Sequence, residues 1–224
     1  MRRALILPGL DGSGELLDGL VAHLAPEISA SAMAYPSESA MGHTALIDFV
    51  AAALPEGNFV LIAESFSGPI AIEIASRFPA RVDALILCAT FVSSPHPGLR
   101  PLHHLLRLPL PSPPAAFVAR VGMGRWSSGE WVIRLRRAMR RLGPGVARNR
   151  LAAVVEVDAS SALKTLRCPI LYLQARYDRL VHRAASARII ALAPHTRVTA
   201  IEGPHFLLQA RPEAVAESIK AFLG

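Results

Sequence analysis

Lysine is almost missing from this chain: Lys164 and Lys220 are the only two among its 24 basic residues, and the rest are arginines. Cysteine is equally scarce. Cys88 and Cys168 both lie in apolar runs of strand length, which argues against a disulfide framework and for buried thiols in a reducing, cytoplasmic setting. Aromatic residues make up only 6% of the sequence, so a core must be built mainly from Ala, Leu, Val and Ile. No apolar stretch reaches the roughly 18 uninterrupted residues of a membrane span. The first apolar run, Ala4 to Leu7, stops at Pro8-Gly9 and is too short for a secretory signal. No grouping of His, Cys and Asp has metal-ligand spacing, so no metal is expected. Glycines at positions 9, 12 and 14 follow the first apolar run, but their spacing is not that of a dinucleotide loop and no Walker lysine follows. No cofactor is therefore expected.

What is present is apolar and periodic. Hydrophobic residues make up 52% of 224, enough for one sizeable domain. Strands are predicted at Ala4–Leu7, Ile28–Ala34, Phe59–Ala63, Ala84–Ala89, Pro169–Ala175 and Arg197–Ile201. Between them, helices are predicted at Glu15–Leu24, Thr44–Leu54, from just after Ser65 to Phe78, at Val181–Leu192 and at Phe206–Leu223. Pro69 suits a first helical turn, where its missing N–H costs little. Fully apolar strands such as Phe59–Ala63 read as buried on both faces, as in a parallel sheet covered by helices. Short strands alternating with helices place the chain in the α/β class.

The alternation breaks after Val92. Six prolines (Pro95, Pro97, Pro101, Pro109, Pro111 and Pro113) precede Pro114, and helical stretches follow at Ala115–Val121, Ser128–Leu142 and Val146–Val157. This predicts a helical lid inserted over residues 93–163, between core segments 1–92 and 164–224. The same region is lopsided in charge: from His96 to Arg150 there are eleven arginines and one acid, Glu130. Such a surface could meet nucleic acid or an anionic membrane. Arginine richness runs through the whole chain, however, and no nucleic-acid motif accompanies it, so no nucleic acid is expected. The helix around Trp131, Leu135, Ala138 and Leu142 is read as amphipathic, with a solvated arginine face. Weak contact of that face with anionic lipid or an acidic carrier protein is the sharper alternative.

Chemistry concentrates at the strand ends. In Phe59-Val60-Leu61-Ile62-Ala63-Glu64-Ser65-Phe66-Ser67-Gly68, a buried strand turns sharply into a helix at Ser65. A serine at such a corner stands clear of the backbone at the positive end of a helix. Positions 63 and 67 must be small; Ala63 and Ser67 stand where glycines are common. The loop Pro8-Gly9-Leu10 can present the Leu10 N–H beside Ser65, with the Phe66 N–H as the second donor. Asp178 and His205 follow the last two strands. Loops leaving the C-terminal ends of parallel strands share one edge of the sheet, so the three side chains can converge, in the order Ser, Asp, His. Asp178 is preferred over Asp158, which falls in a helical stretch. His205 is preferred over His23, His43, His96, His103, His104, His182 and His195, none of which directly follows a strand in this way.

These features, from Leu7-Pro8-Gly9-Leu10-Asp11-Gly12 through Ser65 and the Asp178 loop to Gly203-Pro204-His205, resemble the α/β-hydrolases, in particular small, lid-bearing serine esterases of the bacterial carboxylesterase kind. The resemblance spans nearly the whole chain. It implies Ser65 as nucleophile, Asp178 as acid, His205 as base, Leu10 and Phe66 as the oxyanion hole, and a helical lid capping the site. It departs from the family at three points. Pro8 stands where a histidine usually precedes the oxyanion glycine, Ala63 and Ser67 replace glycines, and Glu64 precedes the nucleophile. The start of the chain leaves no room for two leading antiparallel strands, so a minimal, mostly parallel sheet of about six strands is expected. The implied substrate is a small-molecule ester or thioester. Acyl transfer and a non-catalytic binding role stand as alternatives, and the expected assembly is a monomer or homodimer.

Overall fold

In the computed structural model of the protein, residues 1–95, 98, 113–143 and 145–224 are described. The proline-rich stretch of the expected insertion, with His96, His103 and His104, lies outside the described residues. Six strands form one all-parallel sheet: β1 (Arg2–Leu7), β2 (Ile28–Ala32), β3 (Phe59–Glu64), β4 (Val82–Cys88), β5 (Ile170–Ala175) and β6 (Arg197–Ile201), in the order β2-β1-β3-β4-β5-β6. Every residue of β3 is buried, as its continuous apolar run requires in a central strand covered on both faces. The edge strand β6 is mostly exposed until Ile201.

Helices cover both faces. On one side α1 (Asp18–Leu24) and the last helix pack against Ala4, Ile6, Val60, Ile62 and Ile86. On the other, α2 (His43–Ala52) and α3 (Gly68–Arg77) pack against Leu5, Leu7, Leu61 and Leu85. Alternate strand residues thus supply two separate cores, following the two-residue period of a pleated strand. Between β4 and β5 the chain forms α4 (Ala115–Met123), α5 (Gly129–Arg141), α6 (Val146–Glu156) and α7 (Ser160–Thr165). After β5 come α8 (Arg183–Leu192), and after β6 α9 (Leu207–Ala210) and α10 (Pro212–Leu223).

Several boundaries differ from expectation for local reasons. The helix predicted from Glu15 starts as a 3-10 turn, Glu15–Leu17, behind Gly14 in the left-handed region. The last predicted helix is broken at Arg211, and Pro212, which has no N–H to give, opens α10. Helix α7 was not foreseen; its six residues are too few for helical periodicity to register. In α5 the Ser128 hydroxyl caps the helix by accepting from the Trp131 N–H, and Leu135 and Ala138 are buried. Among the described residues no helix is long and apolar enough to cross a membrane.

Candidate active site

The sheet order reverses at β1, whose neighbours are β2 and β3. Loops that leave neighbouring strands in opposite directions open a crevice beyond their C-terminal ends. The Pro8–Asp11 loop and the turn at Ser65 flank that crevice, since Leu7 pairs with Ala63 at the ends of β1 and β3. Ser65 has φ of 48°, in the left-handed region that a non-glycine residue enters at a cost of roughly 1–3 kcal/mol. Its carbonyl accepts from the Thr90 hydroxyl, just beyond β4. Thr90 also explains where this turn needs a glycine: a Cβ on Gly68 would collide with the Thr90 side chain. Position 67 bears no such constraint. Ser67 is fully buried and its hydroxyl is used, donating to the Pro8 carbonyl and meeting the Tyr35 hydroxyl at 2.6 Å. Ser67 has one proton, already given to Pro8, so Tyr35 is the donor in that second bond. Burial pushes the Tyr35 phenol well above its ordinary pKa, which keeps it a neutral donor.

Three of the residues singled out by strand-end position form a line. Ser65 Oγ lies 2.8 Å from His205 Nε2, and His205 Nδ1 lies 2.8 Å from Asp178 Oδ2. The other carboxylate oxygen, Oδ1, accepts from the Leu180 and Val181 N–H groups, both at 2.8 Å. The His205 and Asp178 side chains are only 4% and 7% exposed. With Asp178 accepting at Nδ1, the imidazole proton sits there and the Nε2 lone pair faces the Ser65 hydroxyl. That arrangement can pull a proton from Ser65 and stabilise the resulting imidazolium. The next residue, Phe206, donates its N–H to the Gly122 carbonyl at 3.1 Å, and a Cβ on Gly122 would lie 2.6 Å from the Phe206 ring. Helix α4 therefore packs directly on the loop that carries His205.

The described rival residues stand outside this hydrogen-bonded line. Asp158 lies outside any helix, in a bridge with Ser93, and accepts from the Ser160 N–H at the start of α7. His182 caps α8 through a bond from the Ala184 N–H at 3.2 Å, and His23 and His195 are exposed. His43 stands edge-on to Phe66, and burial lowers its pKa to about 4, so it is neutral at ordinary pH. A cavity of about 460 Å³ beside it is lined by Ile47, Glu73, Asn149 and Val157, among others, and by none of Ser65, Asp178 and His205. Among the described residues no group of His, Cys, Asp and Glu could hold a metal ion.

The Pro8–Asp11 loop is tied down along its length. The Gly12 N–H donates to the Gly9 carbonyl at 3.1 Å, closing a tight turn. Arg150, on α6 and 2% exposed, donates from Nη1 to the Leu10 and Asp11 carbonyls at 2.9 and 3.0 Å, and from Nη2 to the Pro36 carbonyl at 3.1 Å. Its guanidinium also lies 5.6 Å from the centre of the Tyr35 ring. Burial lowers the Arg150 pKa, while the nearby Asp11 carboxylate opposes that shift. The Leu10 N–H has no acceptor among the described residues.

Glu64, directly before Ser65, is buried under this loop. Its Oε2 accepts from Gln209 Nε2 at 2.8 Å and sits 3.3 Å from where a Cβ on Gly9 would be. Burial raises its pKa to about 7, with the Gln209 bond and the charge of His205 pulling the other way. Its neighbours are thus the loop, Gln209 and the His205 side chain.

Sequence reasoning missed Arg150, Tyr35 and Thr90, and treated Ser67 as merely small. No pattern in the sequence marks Arg150, although the fold leaves room for it. Gly12 has φ of 68°, and a Cβ there would collide with the guanidinium, so the glycine-rich loop is open where Arg150 enters. The arginines of α5 divide into two groups: Arg134 and Arg141 form ion pairs with Asp18 and Glu15, whereas Arg136, Arg137 and Arg140 face solvent.

Known proteins resemble this chain along its length. The model of the alpha/beta hydrolase family matches residues 4–218. A protein of Caulobacter sp. (strain K31) bearing the name carbamate hydrolase RutD is 33% identical over 82 residues, which are 36% of this chain and 31% of that relative. The match thus spans less than a third of the curated relative. Among solved structures, a lipase-esterase related protein from Clostridium acetobutylicum aligns with a TM-score of 0.78 at 18% identity, over 99% of this chain and 94% of its own. A hydrolase from Pseudomonas aeruginosa aligns with a TM-score of 0.79 at 16% identity, over 100% of this chain and 90% of its own. At such identities these structures speak for the fold alone.

Proposed function

The chain belongs to the alpha/beta hydrolase family, and from that premise we propose that it is a serine hydrolase that cleaves carboxylic esters through an acyl-enzyme on Ser65. The observation that carries the reading is the hydrogen-bonded line from Ser65 through His205 to Asp178, with 2.8 Å at each step. His205 Nε2 takes the Ser65 proton as Oγ attacks the ester carbonyl. The negative charge moves to the carbonyl oxygen, which the Leu10 and Phe66 N–H groups receive. As the tetrahedral intermediate collapses, the imidazolium returns its proton to the departing alkoxide and the alcohol leaves. Water then enters, gives a proton to His205 and attacks the acyl carbon. Ser65 leaves with that proton, and the carboxylic acid is released.

The segment over residues 93–163 acts in this reading as a cap. Its described part meets the site on two sides, at Phe206 through Gly122 and at the Pro8–Asp11 loop through Arg150. The substrate is a small-molecule ester with an acyl group that an apolar cap can cover.

A fluorophosphonate probe tests the proposal. Covalent labelling is expected for the intact protein and is lost in Ser65→Ala. Folded protein that takes no label overturns the serine-hydrolase reading and favours a binding role. Turnover of p-nitrophenyl esters, acyl-thioesters and a p-nitrophenyl carbamate of matched length then reports which bond is cleaved. Faster thioester cleavage, or faster acyl transfer to an added alcohol than to water, would replace the esterase assignment.

A further inference from the structure

The Pro8–Asp11 loop has no free carbonyl. Pro8 is held by the Ser67 hydroxyl, Gly9 by the Gly12 N–H, and both Leu10 and Asp11 by Arg150. In a trans peptide the C=O and N–H point in opposite directions. The Gly9 carbonyl turned in toward Gly12 therefore leaves the Leu10 N–H turned out of the turn. Holding the Gly9 carbonyl on one side and the Leu10 carbonyl on the other fixes both backbone torsions of Leu10.

We propose that Arg150 is a positioning residue for catalysis: it locks the Leu10 backbone in the orientation that receives the transition-state oxygen. The proposal rests on the serine-hydrolase reading. A guanidinium is suited to this task because its planar fork serves three carbonyls from two different loops, those that follow β1 and β2. A lysine, a compact charge on a flexible stem, cannot hold that fixed geometry. Arg150 never approaches the reacting atoms through these contacts; it acts through Leu10. It also comes from α6, outside the sheet core, so the placement of α6 and the shape of the Leu10 loop depend on one another. Gly12 fits this role: its backbone is left-handed, and a Cβ there would collide with the guanidinium, so the loop leaves room where Arg150 enters.

The test compares the intact protein with Arg150→Lys, Arg150→Met and Arg150→Ala, each first checked for folding by thermal melting. In the folded variants kcat falls by about 10–100-fold while KM changes less than about 2-fold, because only the transition state uses the misplaced donor. Affinity for a trifluoromethyl ketone, whose adduct carries the same oxyanion, weakens by the factor lost in kcat/KM. Millimolar guanidinium restores much of the activity of Arg150→Ala. The proposal is overturned if folded Arg150→Lys keeps kcat within about 2-fold. It is equally overturned if KM carries the loss, if trifluoromethyl ketone affinity is unchanged, or if guanidinium restores nothing. Intact protein that neither labels nor turns over esters removes the hydrolase reading itself, and the proposal falls with it. Labelled, active protein whose Arg150 variants behave normally removes the proposal alone.

Discussion

The His205 and Asp178 side chains are held by each other and by backbone N–H groups of the Asp178 turn, whereas three of the four carbonyls of the Pro8–Asp11 loop are held by side chains from distant parts of the chain. The Asp178 carboxylate is satisfied within its own turn, by the N–H groups of Leu180 and Val181, and its remaining oxygen faces His205. The loop depends instead on Ser67, and through it on Tyr35, and on Arg150 from α6. Local support depends little on the rest of the fold. Remote support makes the loop only as ordered as the packing of α6 and the burial of Tyr35. The two halves should therefore fail differently when damaged: the histidine side by losing chemistry in a folded protein, the loop side by losing stability and rate together.

Asp178→Asn is the sharpest test of the first half. The amide keeps the shape but can donate to Nδ1, which places the imidazole proton on Nε2 where a lone pair is needed. A fall in kcat of about 10⁴-fold is expected, with the melting temperature little changed. A fall below about 10-fold in ester turnover would mean that Asp178 does not orient His205.

Ser67→Ala tests the second half. It leaves the Pro8 carbonyl and the Tyr35 hydroxyl buried without partners, at about 1–3 kcal/mol each. Denaturant melts should show a loss of about 2–6 kcal/mol, and kcat should fall about 10-fold as the loop loosens. Tyr35→Phe is the control. It removes one donor but leaves Ser67 bonded to Pro8, so about 1 kcal/mol is lost and kcat stays within about 3-fold. Equal effects of the two substitutions on kcat would show that the Ser67–Pro8 bond does not hold the loop.

The same contrast explains what could be read in advance. The sheet was legible because its central strands, β1, β3, β4 and β5, are short apolar runs, and because buried parallel strands need no partner information to be recognised. Ser65, Asp178 and His205 could be named because each follows such a run directly, and they are the three side chains that line up. The support of the Leu10 loop was not legible. Arg150 is one of eleven arginines in a basic stretch, and its contacts lie about 140 residues away along the chain. Ser67 differs from glycine by one hydroxyl, whose value depends on Pro8 and Tyr35 arriving beside it. The need for glycine at position 68 appears only with the Thr90 side chain against it. Burial of a single arginine in a helix of many is a tertiary fact, and helical periodicity carries no sign of it.

Glu64 stands between the two halves and has little effect on turnover. It touches the loop at Gly9 and feels the charge of His205. Burial raises its pKa from 4.5 to about 7, so between those values the folded protein holds a proton that the unfolded chain has released. Stability then falls as pH rises from about 4.5 through about 7 and levels off above, by roughly 3 kcal/mol in all. Glu64→Gln keeps the shape and has no proton to lose, so this slope disappears. His43, whose pKa is lowered to about 4, contributes the opposite sign: stability is lost as pH falls from about 6.5 through 4, in both proteins alike. The difference between the two stability–pH curves therefore isolates Glu64. Denaturant melts at pH 5, 6, 7 and 8 should find the variant gaining on the intact protein across that range, with kcat at pH 6 changed less than about 3-fold. Parallel curves would mean that Glu64 stays ionised in the folded protein and belongs to the chemistry of His205 rather than to the packing of the loop.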